Sequence, residues 1–187
     1  MLKRATAERL LQPQTKGAAM QLHSESRSNI SPEQTFVVLG VLLQFLSVPE
    51  HNGSDISLIK GTLQPAATIP LHSHPDPEIF YILEGSLDVY RADTAAWVIA
   101  KTGETISIPG NLRHAVRNPA DVPATTITTT KADLYSFFLE LAQPFRPDAP
   151  MLPPTPADMA KVFAVAAKYE YRMGTPEDNA DIGVSLG

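Results

Sequence analysis

The feature that most constrains the fold of this chain is a series of short apolar and β-branched runs between residues 36 and 130. Turn-forming residues, mainly proline, glycine, asparagine and aspartate, separate the runs. Repeated short runs of this kind are typical of the strands of a sandwich or a small barrel. The first strand is predicted over 36–48. Further strands are predicted near 55–63, 68–74, 79–83, 86–91, 96–100, 104–108, 113–117 and 123–130.

Two turns are predicted from local residue types. Asn52 and Gly53 follow the first strand, and an Asn-Gly pair supplies the positive φ angles of a type I′ hairpin turn. The second turn contains Pro109, Gly110 and Asn111, since proline fixes φ and glycine permits a chain reversal. We expect a positive φ angle at Gly110 or Asn111.

The apolar pattern becomes helical after residue 130. Leu134, Phe137, Phe138 and Leu141 recur at helical spacing, and a proline-rich linker follows over 144–156. Thr155 is a good N-cap for a second helix. The predicted apolar face of that helix consists of Met159, Val162, Phe163, Ala166 and Tyr169.

These patterns predict a mainly all-β protein with an N-terminal arm and two C-terminal helices. The predicted parts are an arm over 1–35, a β-barrel over 36–131, helices that pack on the barrel over 132–173, and a loose polar tail over 174–187. The 187 residues are 43% hydrophobic, which fits one globular domain.

Composition excludes several functions. The net charge of −5 gives no basic footprint for nucleic acid. There are no cysteines, so disulfides, thiolate metal sites and thiol nucleophiles are excluded, and a reducing cytoplasm is the expected compartment. The longest apolar run, over 36–48, is too short to span a bilayer, and no targeting segment is recognised at the N-terminus. No membrane partner is therefore expected.

Four side chains have the chemistry and spacing of a metal site. His72 and His74 are two residues apart on a predicted strand, so their side chains point to the same face. The intervening prolines force a turn, after which Glu78 begins the next strand beside them. His114 lies on the strand that leaves the second turn and adds a third imidazole. Such ligands suit one divalent ion of Fe, Mn, Ni, Co, Cu or Zn, with coordination positions left open.

These residues form two motifs that resemble those of the cupin superfamily. The first motif consists of His72, His74, Glu78 and Gly85, and the second of Gly103, Pro109, Asn111, His114 and Asn118. Two positions depart from the usual pattern, because Ala66 and Asn111 stand where glycine is usual. Asparagine tolerates left-handed backbone better than other non-glycine residues, so the second departure is mild.

Over residues 36–171 the chain resembles the quercetin dioxygenase-like bacterial monocupins. This resemblance implies a small cupin barrel, or jelly roll, that holds one metal ion through His72, His74, Glu78 and His114. It also implies dioxygen-dependent cleavage of a flavonol-like or other small enolizable aromatic substrate, in which Glu78 is both a ligand and the catalytic proton acceptor. Because one fold hosts many reactions, the motifs specify the reaction only weakly.

Two other functions remain open at this point. One is a metal-dependent isomerase, lyase or hydrolase that acts on a small oxygenated compound without dioxygen. The other is a non-enzymatic binding module, although no effector domain is recognised. A homodimer is the expected assembly, since two-fold dimers are the commonest oligomers.

Other polar side chains have structural interpretations. His23 and His51 lie in polar surroundings typical of a solvated surface. Asp76, between two prolines, is interpreted as a turn residue.

Arg113 and Arg117 flank His114 and are expected to face solvent because side chains alternate along a strand. Phe80 and Ile82 share the parity of Glu78, so they line either the cavity or the core, and the helix residues Phe137, Phe138 and Phe163 are expected to pack on the barrel.

Overall fold

The computed structural model describes residues 31–150 and 154–185, which form one compact unit from Ser31 onward. These residues fold into two antiparallel β-sheets with a few helices, which confirms the predicted mainly all-β jelly roll. The predicted arm over 1–35 lies outside the described residues except for its last five positions. The division of the chain at 131 and 173 stays a prediction.

The described residues contain twelve strands and four helices. The strands are β1 (Thr35–Val38), β2 (Val41–Ser47), β3 (Ile56–Leu63), β4 (Thr68–Ser73), β5 (Glu78–Glu84), β6 (Ser86–Arg91), β7 (Ala96–Lys101), β8 (Thr105–Ile108), β9 (His114–Arg117), β10 (Ala124–Lys131), β11 (Gln143–Pro144) and β12 (Arg172–Met173). The helices are α1 (Pro49–Asn52), α2 (Ala132–Leu141), α3 (Pro156–Lys168) and α4 (Pro176–Asp181).

The two sheets bring distant parts of the chain together. The seven-stranded sheet has the order β11-β1-β2-β3-β10-β5-β8, and the five-stranded sheet has the order β12-β4-β9-β6-β7. Strands β4 and β9 are neighbours, and His72 lies directly opposite His114. Strand β5, which begins at Glu78, belongs to the other sheet. The predicted site residues therefore come from both sheets of the jelly roll.

Alternating burial along strand β5 defines the core. Glu78, Phe80 and Ile82 are buried, while Ile79 and Tyr81 are about half exposed on the opposite face. Since side chains alternate across a strand, the buried set faces the interior of the jelly roll. The parity predicted for Phe80 and Ile82 relative to Glu78 is therefore observed.

The predicted first strand over 36–48 is wrong as a single element. The chain forms two antiparallel strands, β1 and β2, joined at Leu39 and Gly40. The φ angles of these two residues are 51° and 83°, the positive pair expected for a type I′ hairpin. Continuous hydrophobicity concealed the turn, because Leu39 is a non-glycine residue held in left-handed backbone.

The type I′ hairpin predicted at Asn52 and Gly53 is also wrong. Residues Pro49–Asn52 form the single helical turn α1, and only Gly53, with φ 68°, is left-handed. The Asn52 side chain accepts a hydrogen bond from the Ser54 amide at 2.9 Å and donates one to the Ile56 carbonyl at 2.8 Å. The asparagine therefore organises a longer connection between β2 and β3.

The second predicted turn is confirmed at Asn111, whose φ angle is 65°. Gly110 is required for a different reason: a Cβ atom there would lie 2.0 Å from the Pro75 carbonyl oxygen. The Asn111 amide donates a hydrogen bond to the His74 carbonyl at 2.6 Å. This turn is therefore packed directly against the chain that carries His74.

The second C-terminal helix begins as predicted. Thr155 and Asp158 form a reciprocal capping box. The Thr155 amide nitrogen lies 2.8 Å from the Asp158 carboxylate, and the Asp158 amide nitrogen lies 3.2 Å from the Thr155 hydroxyl oxygen. Its buried face contains Val162, Val165 and Ala166, whereas Phe163 is 53% exposed, so the predicted packing of Phe163 is wrong. No helix among the described residues is both long and apolar enough to cross a membrane.

The predicted loose tail is ordered over its described residues. Helix α4 begins after the Thr175 capping box, and the fully buried Asn179 side chain accepts a hydrogen bond from the Leu71 amide at 2.8 Å. The Gly174 amide donates to the Leu71 carbonyl at 2.6 Å. The tail therefore satisfies backbone groups of β4, the strand that carries His72.

Ala66 stands where the cupin motif usually has glycine, and its backbone is left-handed. Its φ angle is 62°, a conformation in which an L side chain is strained and glycine is not.

We expect Ala66→Gly to raise the free energy of unfolding by about 0.5–1 kcal/mol, the relief of strain less the greater entropy of the unfolded glycine variant. Ala67→Gly is the matched control, because Ala67 has no positive φ, and it should destabilise by a similar amount. Urea unfolding measures both, and a destabilised Ala66→Gly variant would contradict the strain.

Candidate metal centre

Three imidazoles converge on one region between the sheets. His72 lies near the end of β4, His74 follows that strand, and His114 begins β9. One nitrogen from each ring lies within 4.8 Å of the other two. His74 and His114 are buried and His72 is partly buried. The three histidines can therefore hold a metal ion.

Backbone carbonyls fix the proton position on all three rings. The Nδ1 atoms of His72, His74 and His114 lie 2.7, 2.7 and 2.8 Å from the carbonyl oxygens of Pro70, Asp76 and Leu112. A carbonyl oxygen only accepts, so each Nδ1 carries the proton and donates. In the neutral rings each Nε2 atom then has a free lone pair. This is the tautomer that a metal-binding histidine needs.

Glu78 adds one carboxylate to the cluster. Its Oε2 atom lies 3.1 Å from His114 Nε2 and 3.3 Å from His74 Nε2. Glu78 is buried and is the first residue of β5, so it approaches the histidines from the opposite sheet. The structure thus brings together all four predicted residues, and their role as ligands stays a prediction.

Burial and mutual charge shift the pKa values in this cluster. Burial, together with the nearby imidazoles of His114 and His74, lowers the pKa of His72 to about 3. Burial acts against ionisation of Glu78 as well, but contact with the His114 and His74 rings, when these carry a second proton on Nε2, outweighs it and lowers the pKa of Glu78. Burial likewise opposes charge on His74, but the Glu78 carboxylate outweighs it and raises the pKa of His74. Glu78 is therefore ionised at neutral pH.

The chemistry of the donor set fits a divalent transition metal. His74 Nε2 is buried and has no hydrogen bond of acceptable geometry, although Glu78 Oε2 is 3.3 Å away. A buried polar atom without a partner is costly, and a metal ion would satisfy it. Imidazole and carboxylate are borderline and hard ligands, which suit ions from Mn to Zn. The donors therefore fit one such ion without fixing its identity.

Asp76 has a role that the sequence analysis missed. It was interpreted as a turn residue, yet it is only 7% exposed. Its carboxylate accepts a hydrogen bond from the Leu134 amide at 2.8 Å in the first turn of α2, whose own N-cap residue provides no side-chain cap. Its carbonyl accepts the His74 Nδ1 proton. One residue thus caps a C-terminal helix and orients a predicted ligand, a long-range contact that local sequence does not reveal.

The other polar residues that the sequence analysis interpreted have contacts of their own. Arg117 contacts the Trp97 ring at 3.8 Å and pairs with Asp88 at 3.2 Å, so it is not simply solvated as predicted. Arg113 pairs with Asp178 at 2.8 Å and remains about half exposed. His51 is exposed in α1, as expected. His23 lies outside the described residues.

The two-sheet jelly roll and its histidine triad define a fold with a candidate metal site. Residues 60–130 match the protein-family model described as the Cupin domain. The match extends from β3 to β10 and includes all four predicted site residues. Residues 60–130 are therefore similar to a cupin domain.

Curated plant proteins are similar to the same part of the chain. A germin-like protein, subfamily 2 member 1, from Arabidopsis thaliana is 33% identical over 104 residues, which cover 54% of this chain and 48% of that protein. The rhicadhesin receptor of Pisum sativum is 35% identical over 91 residues, 46% of this chain and 42% of that protein. The chain thus spans about half the length of the curated relatives it matches.

Among solved structures, the chain is similar to that of a predicted oxalate decarboxylase from Thermotoga maritima. The two chains are 22% identical with a TM-score of 0.47, and the match covers 56% of this chain and 94% of the other.

The metal-free protein should lose stability in acid through His72. Unfolded histidine takes up a proton below pH 6.5, whereas the folded pKa of His72 is about 3, so unfolding takes up a proton in this interval. As the pH falls from 6.5 to 3, the free energy of unfolding of wild type should therefore decrease relative to that of His72→Gln. The slope should not exceed about 1.4 kcal/mol per pH unit, the value for one proton.

Urea unfolding followed by fluorescence of the single tryptophan, Trp97, measures this difference. The exposed His51→Gln variant is the matched control and should keep the pH dependence of wild type. The shifted pKa values of His74 and Glu78 act in both proteins. The raised pKa of His74 adds stability below pH 6.5, and the lowered pKa of Glu78 costs stability below pH 4.5. Parallel curves for wild type and His72→Gln would contradict the depressed pKa.

Proposed function

We propose that this protein is a metal-dependent cupin enzyme that uses dioxygen to cleave a flavonol-like or other small enolizable aromatic substrate. The observation that carries the proposal is the meeting of three Nδ1-protonated imidazoles with one ionised, buried carboxylate. The resemblance of the motifs and of residues 36–171 to quercetin dioxygenase-like monocupins supports the reaction class. A cytoplasmic location and a homodimer belong to the same proposal.

His72, His74 and His114 would hold the ion through Nε2, with Glu78 as the fourth ligand. A bound divalent ion would supply Lewis-acid polarisation of a substrate oxygen and a site for dioxygen chemistry. The chain itself fixes the ligand geometry before the ion arrives, because each Nδ1–H is tied to a carbonyl oxygen. Preorganised ligands of this kind leave little reorganisation for the reaction step.

Glu78 is the proposed proton acceptor. Its carboxylate is buried and lies 3.1 and 3.3 Å from the Nε2 atoms of His114 and His74, so it is within reach of an enolic hydroxyl group bound there. Phe80 and Ile82 extend from the same face of β5 and supply an apolar wall. An apolar wall excludes water and strengthens the electrostatic effect of the carboxylate.

A second candidate is a metal-dependent isomerase or lyase on a small oxygenated compound. The same buried carboxylate favours it, because proton abstraction beside a polarised oxygen needs no dioxygen. The metal discriminates the two candidates: zinc supports Lewis-acid chemistry alone, whereas iron, copper, nickel, cobalt or manganese permits the dioxygenase.

Metal binding should stabilise the fold and should require His114. Ligand that binds only the folded state at a thousandfold excess over its dissociation constant adds about 4 kcal/mol, so a chelator should lower the melting temperature. The effect should shrink below about pH 6, where protons compete for the imidazoles. His114→Ala should lose the ion, while the exposed His51→Ala control should retain one ion per chain by elemental analysis.

The proposed site is wrong if wild-type protein that is shown to contain metal has the same melting curve with and without chelator. Equal metal content in His114→Ala and wild type would also contradict it.

The dioxygenase reaction should depend on Glu78. Metal-loaded wild type should consume dioxygen with quercetin or a related flavonol in an oxygen electrode. Glu78→Gln keeps the side-chain shape but removes the base, and activity should fall about a hundred- to ten-thousandfold at equal metal content. Glu84→Gln is the matched control at the exposed end of the same strand and should leave oxygen uptake unchanged.

Absence of oxygen uptake by metal-loaded wild type across a broad panel of enolizable aromatic compounds would exclude the dioxygenase. Full turnover by a metal-loaded Glu78→Gln variant would remove the role assigned to Glu78 even if the reaction is right.

A further inference from the structure

The short strand β12 extends the sheet that carries the histidines. In its antiparallel pairing with β4, Arg172 lies opposite Ser73 and Met173 lies opposite His72. One residue further along this register, Tyr171 comes beside His74. Residues opposite each other in a pair project to the same face of the sheet, so Tyr171 lies on the side of the imidazoles.

The Tyr171 side chain is fixed beside His74. Its ring centroid lies 5.2 Å from that of His74 and 4.9 Å from that of Phe137 in α2. Its amide donates to the Ala166 carbonyl at 2.9 Å, and Glu170, with φ 59°, provides the left-handed turn that ends α3. The end of α3 and the edge of β4 therefore both determine where this ring lies.

The Tyr171 hydroxyl is buried and has no hydrogen-bond partner among the described residues. The whole residue is only 7% exposed. A buried hydroxyl without a partner is costly, and native structures nearly always satisfy such groups. A phenol hydroxyl is protonated at neutral pH, so it remains a hydrogen-bond donor.

We propose that β12 forms one wall of the ligand pocket and that the Tyr171 hydroxyl donates a hydrogen bond to an oxygen atom of the molecule bound at the histidine cluster. This inference rests on the proposed function, since it needs a ligand at that centre. It identifies Tyr171 as a residue that selects oxygen-rich substrates, because an apolar ligand would leave the hydroxyl unpaired.

Tyr171, the residue proposed to select the substrate, lies outside the segment of the chain that contains the predicted metal ligands. The cupin match ends at residue 130, whereas Tyr171 reaches the site through α2, α3 and β12. The four predicted ligands lie inside the matched segment. Two proteins with the same ligand set can therefore differ in substrate according to what their C-terminal segments place beside His74.

The test uses the full chain loaded with cobalt and 4-nitrocatechol as a coloured oxygen ligand. Its binding is followed by absorbance at fixed metal occupancy. Tyr171→Phe should weaken binding of this probe about three- to tenfold, the loss of one hydrogen bond. Its cobalt affinity should match wild type and its melting temperature should not fall, because no hydrogen bond within the protein is removed. Tyr81→Phe, half exposed on the outer face of β5, is the matched control and should bind like wild type.

Each alternative outcome is distinct. Equal probe affinity in Tyr171→Phe and wild type would overturn the inference and leave the metal site intact. Parallel losses of cobalt affinity, melting temperature and probe affinity would assign Tyr171 a structural role only and also overturn it. Wild type that binds no cobalt would contradict the proposed metal site and, with it, the inference.

Discussion

The candidate site depends on three hydrogen bonds between imidazole Nδ1 atoms and backbone carbonyls. These bonds hold each ring in one orientation and one tautomer, so that the free lone pairs converge between the sheets. The carbonyls belong to Pro70, Asp76 and Leu112, which lie two residues from their histidines. The backbone therefore fixes the donor atoms directly, without depending on flexible side chains.

Contacts between different segments of the chain hold that backbone in place. The Asp76 carboxylate caps α2 while its carbonyl orients His74, so the helix and the ligand loop are coupled through one residue. Asn111 donates to the His74 carbonyl, and Gly110 lets the two loops approach closely. Asn179 and Gly174 satisfy backbone groups of Leu71. The C-terminal segments are therefore part of the site's framework and do more than cover the barrel.

Local pattern predicted the strands from β3 to β10 within one or two residues, because alternation and turn residues are local signals. It predicted the approach of His72, His74, Glu78 and His114 through motif spacing, and their role as ligands stays a prediction. It failed at Leu39, where tertiary structure holds an apolar residue in left-handed backbone. It also missed Asp76 and Tyr171, whose roles arise from contacts with helices and strands far along the chain. Side-chain chemistry alone gives no sign of such contacts.

Charge balance relates the proposed proton transfer to the ligand set. Three neutral imidazoles and one carboxylate would carry a charge of −1, so a divalent ion would leave +1 in a buried site. An isolated buried charge is unfavourable, which favours a bound molecule that can become an anion. Transfer of a proton from an enolic hydroxyl to Glu78 moves negative charge onto the substrate and leaves the total unchanged. Release of that proton to solvent would then make the site neutral, so an ionised enolizable substrate matches this ligand set better than a neutral one.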